Sequence, residues 1–355
     1  MPATVKIATF NCENLFNRPK VFAPGGKRTD ELLGFAAQLQ NQLRNAVFDH
    51  AAIDALKQKL RGYVTINDVR GKHTSTHGAD EWLGWIEFTK AEVDDVAVEN
   101  TARVIADVNA DIICLMEVEN RTRLQQFHDE LLFPKFLLGA GSAPYQHVLL
   151  VDGNDGRGID VALLSRLPVN WLRSHIHEQL LYFGRRVPTF SRDCLEVQLR
   201  LPGRRNLYLL VNHLKSQGYS GGNDPQGKLR RLGQAERVAE IAGQYRLQSD
   251  YVVVAGDLNS DGRDGSLEPL LTNQQLYNVN QELSPEERGT FRTGKQQLDY
   301  LLVSQALRQK LRSVMVERRG IWSKTRATRG LCYPTVISDR TAASDHGAVS
   351  AEFLF

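Results

Sequence analysis

The sequence predicts an α/β fold in which two β-sheets pack face to face and helices cover their outer sides. Apolar, β-rich runs recur along most of the chain, and stretches with helical periodicity lie between some of them. The runs at 111–116 and 251–256 are apolar nearly throughout, as expected for central strands that are covered on both faces. The predicted strands are 5–10, 111–116, 145–151, 159–165, 194–200, 206–214, 251–256, 298–304 and 348–353.

Two stretches have the spacing of amphipathic helices. They are Val98–Val108 and Lys228–Leu247, and the second has apolar residues at 229, 232, 235, 238, 241 and 242. Residues 17–97 break the alternation of strands and helices. Within them, Asp30–Leu60 is rich in Ala, Gln and Leu and is predicted helical, whereas the rest has no clear period. We therefore interpret 17–97 as an insertion in a single domain that spans 1–355.

Composition places the chain among globular proteins and leaves its partners open. Of 355 residues, 42% are hydrophobic and 24% charged, and the net charge of +3 produces no global basic field, although a local basic surface is compatible with it. The four cysteines are widely spaced and match no zinc pattern, so we expect reduced, structural thiols. The oligomeric state is not predicted.

The N-terminal segment lacks the pattern of a signal peptide, and no apolar run approaches the ~20 residues that span a bilayer. We therefore expect no transmembrane segment. The expected location is the cytoplasm by default, or a secreted or periplasmic one if a leader was removed.

Polar residues recur at the ends of the predicted strands. They are Asn11, Glu117, Asp160, Arg192, Asp193, His213, Lys215, Asp257, Asn259, Asp299, Asp345 and His346. Each alone is more simply a turn or cap residue, and the stretch VVVAGDLNSDG at 252–262 has the composition of an Asx turn. Together they form a set of carboxylates and carboxamides with two histidines. Such a set predicts a site for a hard cation such as Mg²⁺, with space for a substrate phosphate.

The order of these motifs resembles the endonuclease/exonuclease/phosphatase superfamily, which includes deoxyribonuclease I-like and exonuclease III-like nucleases. The matching pieces are FNCEN, MEVEN, the LLSR strand, SRD, NHLKS, GDLNS, LDYLLVS and SDH, and they span residues 5–353 apart from the insertion. The resemblance implies a four-layer α/β/β/α sandwich with two mixed sheets. It also implies a metal-dependent phosphoester hydrolase.

The resemblance assigns the metal and the attacking water to one group of residues. Glu117 would be the principal Mg²⁺ ligand, with Asn11, Asp345 and Asp257 nearby, and Mn²⁺ or Ca²⁺ would be substitutes. Asp257 would orient or deprotonate the water that attacks phosphorus. Asn259 would donate hydrogen bonds to the phosphoryl oxygens.

The resemblance assigns both histidines to the phosphate. Asp299 would fix the tautomer of His346, whose other ring nitrogen would face the phosphate. His213 would donate to the phosphate oxygens as they gain charge. Asp160 would orient His213.

Arg192 would grip the phosphate. Lys215 lies two residues after His213, on the same face of a strand, which favours phosphate contact; the alternative is a solvated lysine at the strand end. A basic groove is predicted from Arg185, Arg186, Arg192, Lys215, Lys228, Arg230 and Arg231.

This groove would suit a polyanion backbone, so we expect a nuclease or phosphodiesterase acting on nucleic acid. The alternatives are a phosphatase or sphingomyelinase-like lipid phosphodiesterase acting on a small head group, and a binding protein with an unused site. The segment 290–303 lacks the Pro-x-Trp-Cys signature of inositol 5-phosphatases.

Overall fold

The computed structural model describes residues 3–13, 15–22, 26–68, 76–155, 157–218, 223–292 and 294–355. The chain divides into two compact units: a larger unit of residues 1–16, 93–217 and 227–355, and a smaller unit of residues 17–92 and 218–226. The main stretch of the smaller unit, residues 17–92, nearly coincides with the insertion predicted at 17–97. Whether the chain is one domain stays a prediction.

The strands in chain order are β1 (Thr4–Asn11), β2 (Asn17–Pro19), β3 (Val64–Asp68), β4 (Gly84–Phe88), β5 (Lys90–Glu92), β6 (Ile112–Val118), β7 (His147–Leu150), β8 (Asp160–Ser165), β9 (Val169–Arg173), β10 (Gln179–Tyr182), β11 (Arg185–Pro188), β12 (Cys194–Arg200), β13 (Asn206–His213), β14 (Tyr251–Asp257), β15 (Leu276–Asn278), β16 (Asp299–Ser304), β17 (Leu311–Glu317) and β18 (Ala348–Leu354). The α-helices are α1 (Gly26–Gln42), α2 (His50–Lys59), α3 (Asp95–Val108), α4 (Arg121–Gln126), α5 (Lys228–Ala242), α6 (Glu268–Leu271), α7 (Gln305–Arg308) and α8 (Lys324–Thr328). A π-helix (Phe127–Leu137) continues α4, and short 3-10 helices cover Lys20–Phe22, Leu138–Ala140, Pro202–Arg204, Pro225–Gly227, Val279–Glu282, Pro285–Glu287 and Asp339–Thr341.

The larger unit contains two mixed sheets of six strands. The first sheet has the order β17-β18-β1-β6-β8-β7, and the second has the order β15-β16-β14-β13-β12-β9. Each sheet has one parallel pair at its centre, β1 with β6 and β13 with β14, and antiparallel strands on both sides of that pair. The prediction of two packed mixed sheets is confirmed.

Alternation of side chains along the strands produces three apolar layers in this unit. Ile7 and Val253 belong to the layer between the two sheets. Phe10 belongs to a second layer, between the first sheet and the helices α3, α4 and the π-helix. Val254 and Val238 belong to a third layer, between the second sheet and α5. The result is the α/β/β/α sandwich that the resemblance implied.

All nine predicted strands are present, and the elements missed lie at sheet edges or outside the sheets. The edge strand β17 reads LRSVMVE and is mostly half-exposed, so its apolar signal is weak. The strands β9 and β15 are likewise edges, and β10 and β11 form a separate two-stranded sheet. Helix α5 ends at Ala242, before the predicted end at Leu247. Edge strands lack the continuous apolar pattern by which buried strands are recognised.

The smaller unit has its own apolar core, which includes Leu39, Leu43, Ile53 and Leu60. The helical stretch predicted at 30–60 is confirmed as two helices. Asp49 separates them because its side chain caps α2, accepting a hydrogen bond from the Ala52 amide at 3.0 Å. Residues 69–75 of the stretch without a clear period lie outside the described residues.

All four cysteines are free, as predicted, and three of them are buried. Among the helices that the structure describes, none combines the length and the apolar character needed to cross a membrane.

Candidate active site

The predicted polar residues meet at one edge of each sheet because of strand direction. The carboxyl ends of a parallel pair lie at the same edge, and antiparallel neighbours begin there. In the second sheet, His213, Asp257 and Asp299 occupy one row across β13, β14 and β16. In the first sheet, Asn11 ends β1, next to the end of β6.

The buried carboxylate of Asp257 is the centre of the site. The Asn11 side-chain amide donates to Asp257 Oδ2 at 2.9 Å, and the Asn259 backbone amide donates to Asp257 Oδ1 at 2.8 Å. The Asn259 side chain also contacts Oδ2, at 3.2 Å. Burial raises the pKa of Asp257 to about 7. At neutral pH this carboxyl group can therefore exchange a proton, which a general base requires.

The GDLN segment forms an Asx turn directly after strand β14. The Asn259 amide bond to Asp257 is the local i to i+2 bond of such a turn. Gly256 has φ 138°, and a Cβ atom there would lie 1.8 Å from the Asn212 carbonyl oxygen, so only glycine fits. Leu258 is buried in the apolar layer under α5.

His346 is held by Asp299 and directs its second nitrogen into the site. Its Nδ1 lies 2.8 Å from Asp299 Oδ2, whereas its Nε2 lies 3.9 Å from Asp257 Oδ2 and 3.7 Å from Asp345 Oδ1. Burial opposes the charged ring, but the carboxylates of Asp299 and Asp257 outweigh it and raise the pKa of His346 well above its usual value. The pair is therefore arranged to keep an imidazolium in the site.

His213 lies beside the same carboxylate but is neutral. Its Nε2 is 3.6 Å from Asp257 Oδ2 and 3.8 Å from Glu117 Oε1. Burial, with the positive charges of Arg192 and Arg157, lowers the pKa of His213 well below its usual value. Its Nδ1 is buried, and no described residue forms a hydrogen bond with it.

Asp160 has a different partner from the one expected. Its Oδ1 accepts a hydrogen bond from the Gly153 amide at 2.7 Å, and no hydrogen bond or ion pair joins it to His213 among the described residues. Burial raises the pKa of Asp160 to about 7, and the nearby Asp152 and Asp155 contribute.

Glu117 lies in a β-bulge at the end of strand β6. The pairing of β6 with β8 shifts between Met116 and Val118, so that Glu117 is the extra residue. Its φ of 63° is left-handed, a conformation that costs a non-glycine residue about 1–2 kcal/mol. Strain of this kind is concentrated at functional sites.

Glu13 joins the site without having been predicted. Its backbone amide donates to Asn11 Oδ1 at 2.9 Å, and its Oε2 accepts from the Asp345 amide at 3.1 Å. The signal was present in the sequence, because Glu13 follows Asn11 at the same i, i+2 spacing that relates Asp257 to Asn259.

Arg192 is buried and is supported by a turn that the sequence did not single out. Its Nη1 donates to the Leu214 carbonyl at 3.2 Å, and its Nε lies 2.9 Å from Asp155 Oδ2. Asp155 also binds Arg157, with Nη2 to Oδ2 at 2.8 Å. Burial lowers the pKa of Lys215 to about 7, and the charges of Arg192 and Arg157 add to that effect. These three basic side chains therefore lie close to one another near His213.

The predicted basic groove is only partly formed. Arg231 is fully buried and binds Asp264 at 2.6 Å and the Lys215 carbonyl at 2.8 Å, so it holds loops together. Arg185 and Arg186 are exposed on the hairpin formed by β10 and β11.

A divalent metal ion fits the donors of this edge. Ligand atoms of Asp257, Asp299 and His346 lie within 4.8 Å of one another. Glu117 and Asn11 add oxygen donors near Asp257: the Asn11 side chain contacts Asp257 directly, and His213 Nε2 lies close to both Glu117 and Asp257. Carboxylate and amide oxygens are the ligands that hard cations take.

Comparisons with known proteins agree with this arrangement. The family model described as "Endonuclease/Exonuclease/phosphatase family" matches residues 93–346. The chain therefore belongs to the endonuclease/exonuclease/phosphatase family, whose members are phosphoester hydrolases.

Two solved structures share the fold over the full chain. A family protein from Bacteroides thetaiotaomicron has 14% identity and a TM-score of 0.53, with 100% of this chain and 99% of that one covered. A mannosyl-6-phosphatase from Bacteroides thetaiotaomicron has 13% identity and a TM-score of 0.51, with 99% of each chain covered. No curated protein matches the sequence.

Proposed function

We propose that this protein is a Mg²⁺-dependent phosphodiesterase that cleaves the backbone of nucleic acid by in-line attack of water on phosphorus. The observation that carries the proposal is the convergence on Asp257. Two buried histidines, one neutral and one charged, point Nε2 at Asp257 Oδ2 from 3.6 and 3.9 Å. A phosphate needs a base on one side and donors for its oxygens, and these groups supply both.

Glu117 and Asn11 would hold the Mg²⁺, with Asp345 and Asp257 nearby. We assign it to these residues because the carboxylates of Asp299 and Asp257 keep the ring of His346 protonated, and a protonated ring has no lone pair to offer a metal. When bound, the ion would neutralise charge on the phosphoryl oxygens and lower the pKa of the attacking water.

The protein's own residues divide the remaining work. Asp257, held in place by Asn11 and Asn259, accepts the proton of the attacking water. Neutral His213 donates a hydrogen bond from Nε2 to a phosphoryl oxygen. As water attacks, the bond from phosphorus to the leaving oxygen breaks, and the charged His346 stabilises the negative charge on that oxygen and donates its Nε2 proton to it. Asp299 keeps the tautomer and orientation of His346.

Arg192 and Lys215 belong to the phosphate side of the site. Arg192 supplies a fixed positive charge that Asp155 and the Leu214 carbonyl hold in place. Their closeness to Arg157 also favours a second candidate, a phosphatase acting on a dianionic monoester. A mannosyl-6-phosphatase shares the fold, although at 13% identity the likeness extends to the fold alone.

A substrate panel tests the proposal: plasmid DNA, RNA, bis-p-nitrophenyl phosphate, sphingomyelin, inositol phosphates and mannose 6-phosphate, each with Mg²⁺, Mn²⁺, Ca²⁺ or EDTA. We expect cleavage of nucleic acid and of the diester, abolished by EDTA and restored by Mg²⁺. Cleavage that EDTA leaves unaffected would refute the metal requirement. Turnover of monoesters alone would replace the proposal with the phosphatase.

A matched pair of variants shows that the measured activity belongs to this site. Asp257→Asn should lose nearly all turnover, since an amide cannot accept the proton. Asp261→Asn, in the following loop, should retain it, because Asp261 contacts the backbone and side chain of Arg263. Equal activity in both variants would remove Asp257 from the mechanism.

A further inference from the structure

The hairpin of β10 and β11 belongs to neither six-stranded sheet. A two-stranded hairpin is at best marginally stable alone, and this one lies against the first turns of α5. A cavity of about 470 Å³ separates the two elements, lined by Leu180, Tyr182, Phe183, Leu229, Leu232 and Gly233 among others. The hairpin therefore forms one wall of a groove of mixed character: apolar and aromatic side chains line it together with Glu236, Arg237 and Glu240 of α5.

The turn of the hairpin exposes the aromatic ring of Phe183, although the left-handed backbone there is unfavourable for phenylalanine. Tyr182 pairs with Arg185, so the turn consists of Phe183 and Gly184, with φ 48° and 74°. Turns of this kind favour Asn, Asp or Gly at the first position. Phe183 nevertheless occupies it with 53% of its surface exposed, and its ring centroid lies 4.6 Å from that of Tyr182.

Positive charge accompanies these rings. Arg185 and Arg186 are exposed, and neither forms a hydrogen bond or ion pair with a side chain of the described residues. The guanidinium of Arg230 lies 5.5 Å from the Tyr182 ring centroid, as in a cation–π contact. Exposed aromatic rings interleaved with arginines are the composition of surfaces that bind single-stranded nucleic acid, with bases stacked on rings and phosphates on arginines.

Hydrogen bonds connect the lining of the groove with the segment that follows His213. Thr189 lines the groove, and the Gln234 side chain donates to the Thr189 carbonyl at 3.0 Å. The same side chain accepts a hydrogen bond from the Lys215 amide at 2.7 Å. Residues 185–192 span at most roughly 26 Å at ~3.3 Å per residue, which limits the distance from the hairpin to Arg192.

From this placement we infer that the β10–β11 hairpin and the start of α5 bind a single-stranded segment of the substrate several nucleotides from the scissile phosphate. This inference rests on the proposed function. A lipid surface fits less well, because Glu236, Arg237 and Glu240 line the same groove as the exposed Leu181, Phe183 and Leu229, so the face is not purely apolar.

Phe183→Asn provides a sharp test, because asparagine suits the left-handed turn better than phenylalanine does. The variant should unfold at the same temperature as the wild type or higher, yet lose a stacking contact. We expect the ratio of kcat/KM for a 12-nucleotide single strand to kcat/KM for bis-p-nitrophenyl phosphate to fall about tenfold. The double variant Arg185→Ser/Arg186→Ser should lower the same ratio and also weaken its dependence on salt.

The matched control is Arg200→Ser/Arg312→Ser, which removes two exposed arginines away from the hairpin and should leave the ratio unchanged. An unchanged ratio in the hairpin variants, with a wild type that cleaves oligonucleotides, would overturn the inference and leave the proposed function intact. A wild type that cleaves no nucleic acid would instead refute the proposed function. Binding to phosphatidylcholine–phosphatidylserine vesicles that Phe183→Asn abolishes would assign the hairpin to a membrane surface and overturn the inference.

Discussion

Two buried histidines of the larger unit, His346 and His175, are each bound to carboxylates, and they differ in how many ring nitrogens are used. His346 contacts Asp299 through Nδ1 at 2.8 Å and has Nε2 beyond hydrogen-bond distance from its neighbours. His175 contacts Glu178 through Nδ1 at 2.7 Å and Glu196 through Nε2 at 3.1 Å.

The surroundings of His175 complete a closed network. Glu178 also binds Arg237, with distances of 2.6 and 2.8 Å, and Glu196 also accepts from the Tyr245 hydroxyl. The backbone amide of His175 donates to Asp193 Oδ1 at 2.8 Å. Every polar atom of this ring is occupied by the protein itself, so the network holds loops together. A buried histidine is placed for chemistry when one of its nitrogens is left for a substrate.

The largest expected effect is the difference in kcat between variants that replace His346 and His175. His346→Gln should lower kcat roughly 100- to 10,000-fold, since it removes a positioned charged group from the site. His175→Gln should turn over substrate about as fast as the wild type. Steady-state kinetics on bis-p-nitrophenyl phosphate checks both variants, and comparable losses would abolish the distinction.

The carboxylate partners sharpen the comparison. Asp299→Asn should reduce kcat roughly 10- to 100-fold, because the ring of His346 loses the partner that holds its proton and orientation. Glu178→Gln, the corresponding change at His175, should leave kcat near the wild-type value. A wild-type rate in Asp299→Asn would refute the pairing as a catalytic feature.

The pH dependence of activity should follow Asp257. Its raised pKa of about 7 means that the carboxylate, the form that accepts a proton, is depleted at lower pH. We expect log kcat/KM to rise with pH up to about 7 and then to level off. A profile that is flat from pH 5 to 8 would contradict the role of Asp257 as the base.

The smallest effect is on stability and belongs to His175. Burial opposes its charge, but Glu196 and Glu178 outweigh burial and raise the pKa of His175. A raised histidine pKa stabilises the fold below the unfolded value of about 6.5, and this contribution is lost as pH rises through the folded pKa.

Urea unfolding at pH 6 and pH 9 measures that loss. His175→Gln should lower the free energy of unfolding by about 1–3 kcal/mol at pH 6 and should show a weaker pH dependence than the wild type. Equal pH dependence in both proteins would assign the loss to other groups.

Much of the site was predictable because its residues are attached to strand ends. Asp257 follows an apolar run and Gly256, and only glycine fits beside the Asn212 carbonyl. The apolar run that predicts this strand therefore also predicts the position of the Asp257 carboxylate. Glu13 was equally visible in FNCEN, but its importance depends on contacts with Asn11 and Asp345, which lie far apart in the chain.

Other features had no local signal. The support of Arg192 by Asp155 joins two loops, and Arg231 was grouped with exposed arginines although it is fully buried. The hairpin tip at Phe183 lacks the Asn-Gly signature by which such turns are recognised. Charge and composition do not tell a buried arginine from an exposed one.

The sequence by itself determined the nine strands with strong apolar runs, the two-sheet class and most of the polar residues at strand ends, because apolar periodicity and chain direction are local properties. The tertiary structure alone decided which of those residues share hydrogen bonds. It gave His346 an unused nitrogen and His175 none, and it paired Asp160 with Gly153 rather than with His213. Such pairings depend on distances of a few tenths of an ångström between segments far apart in the chain, and no local pattern records them.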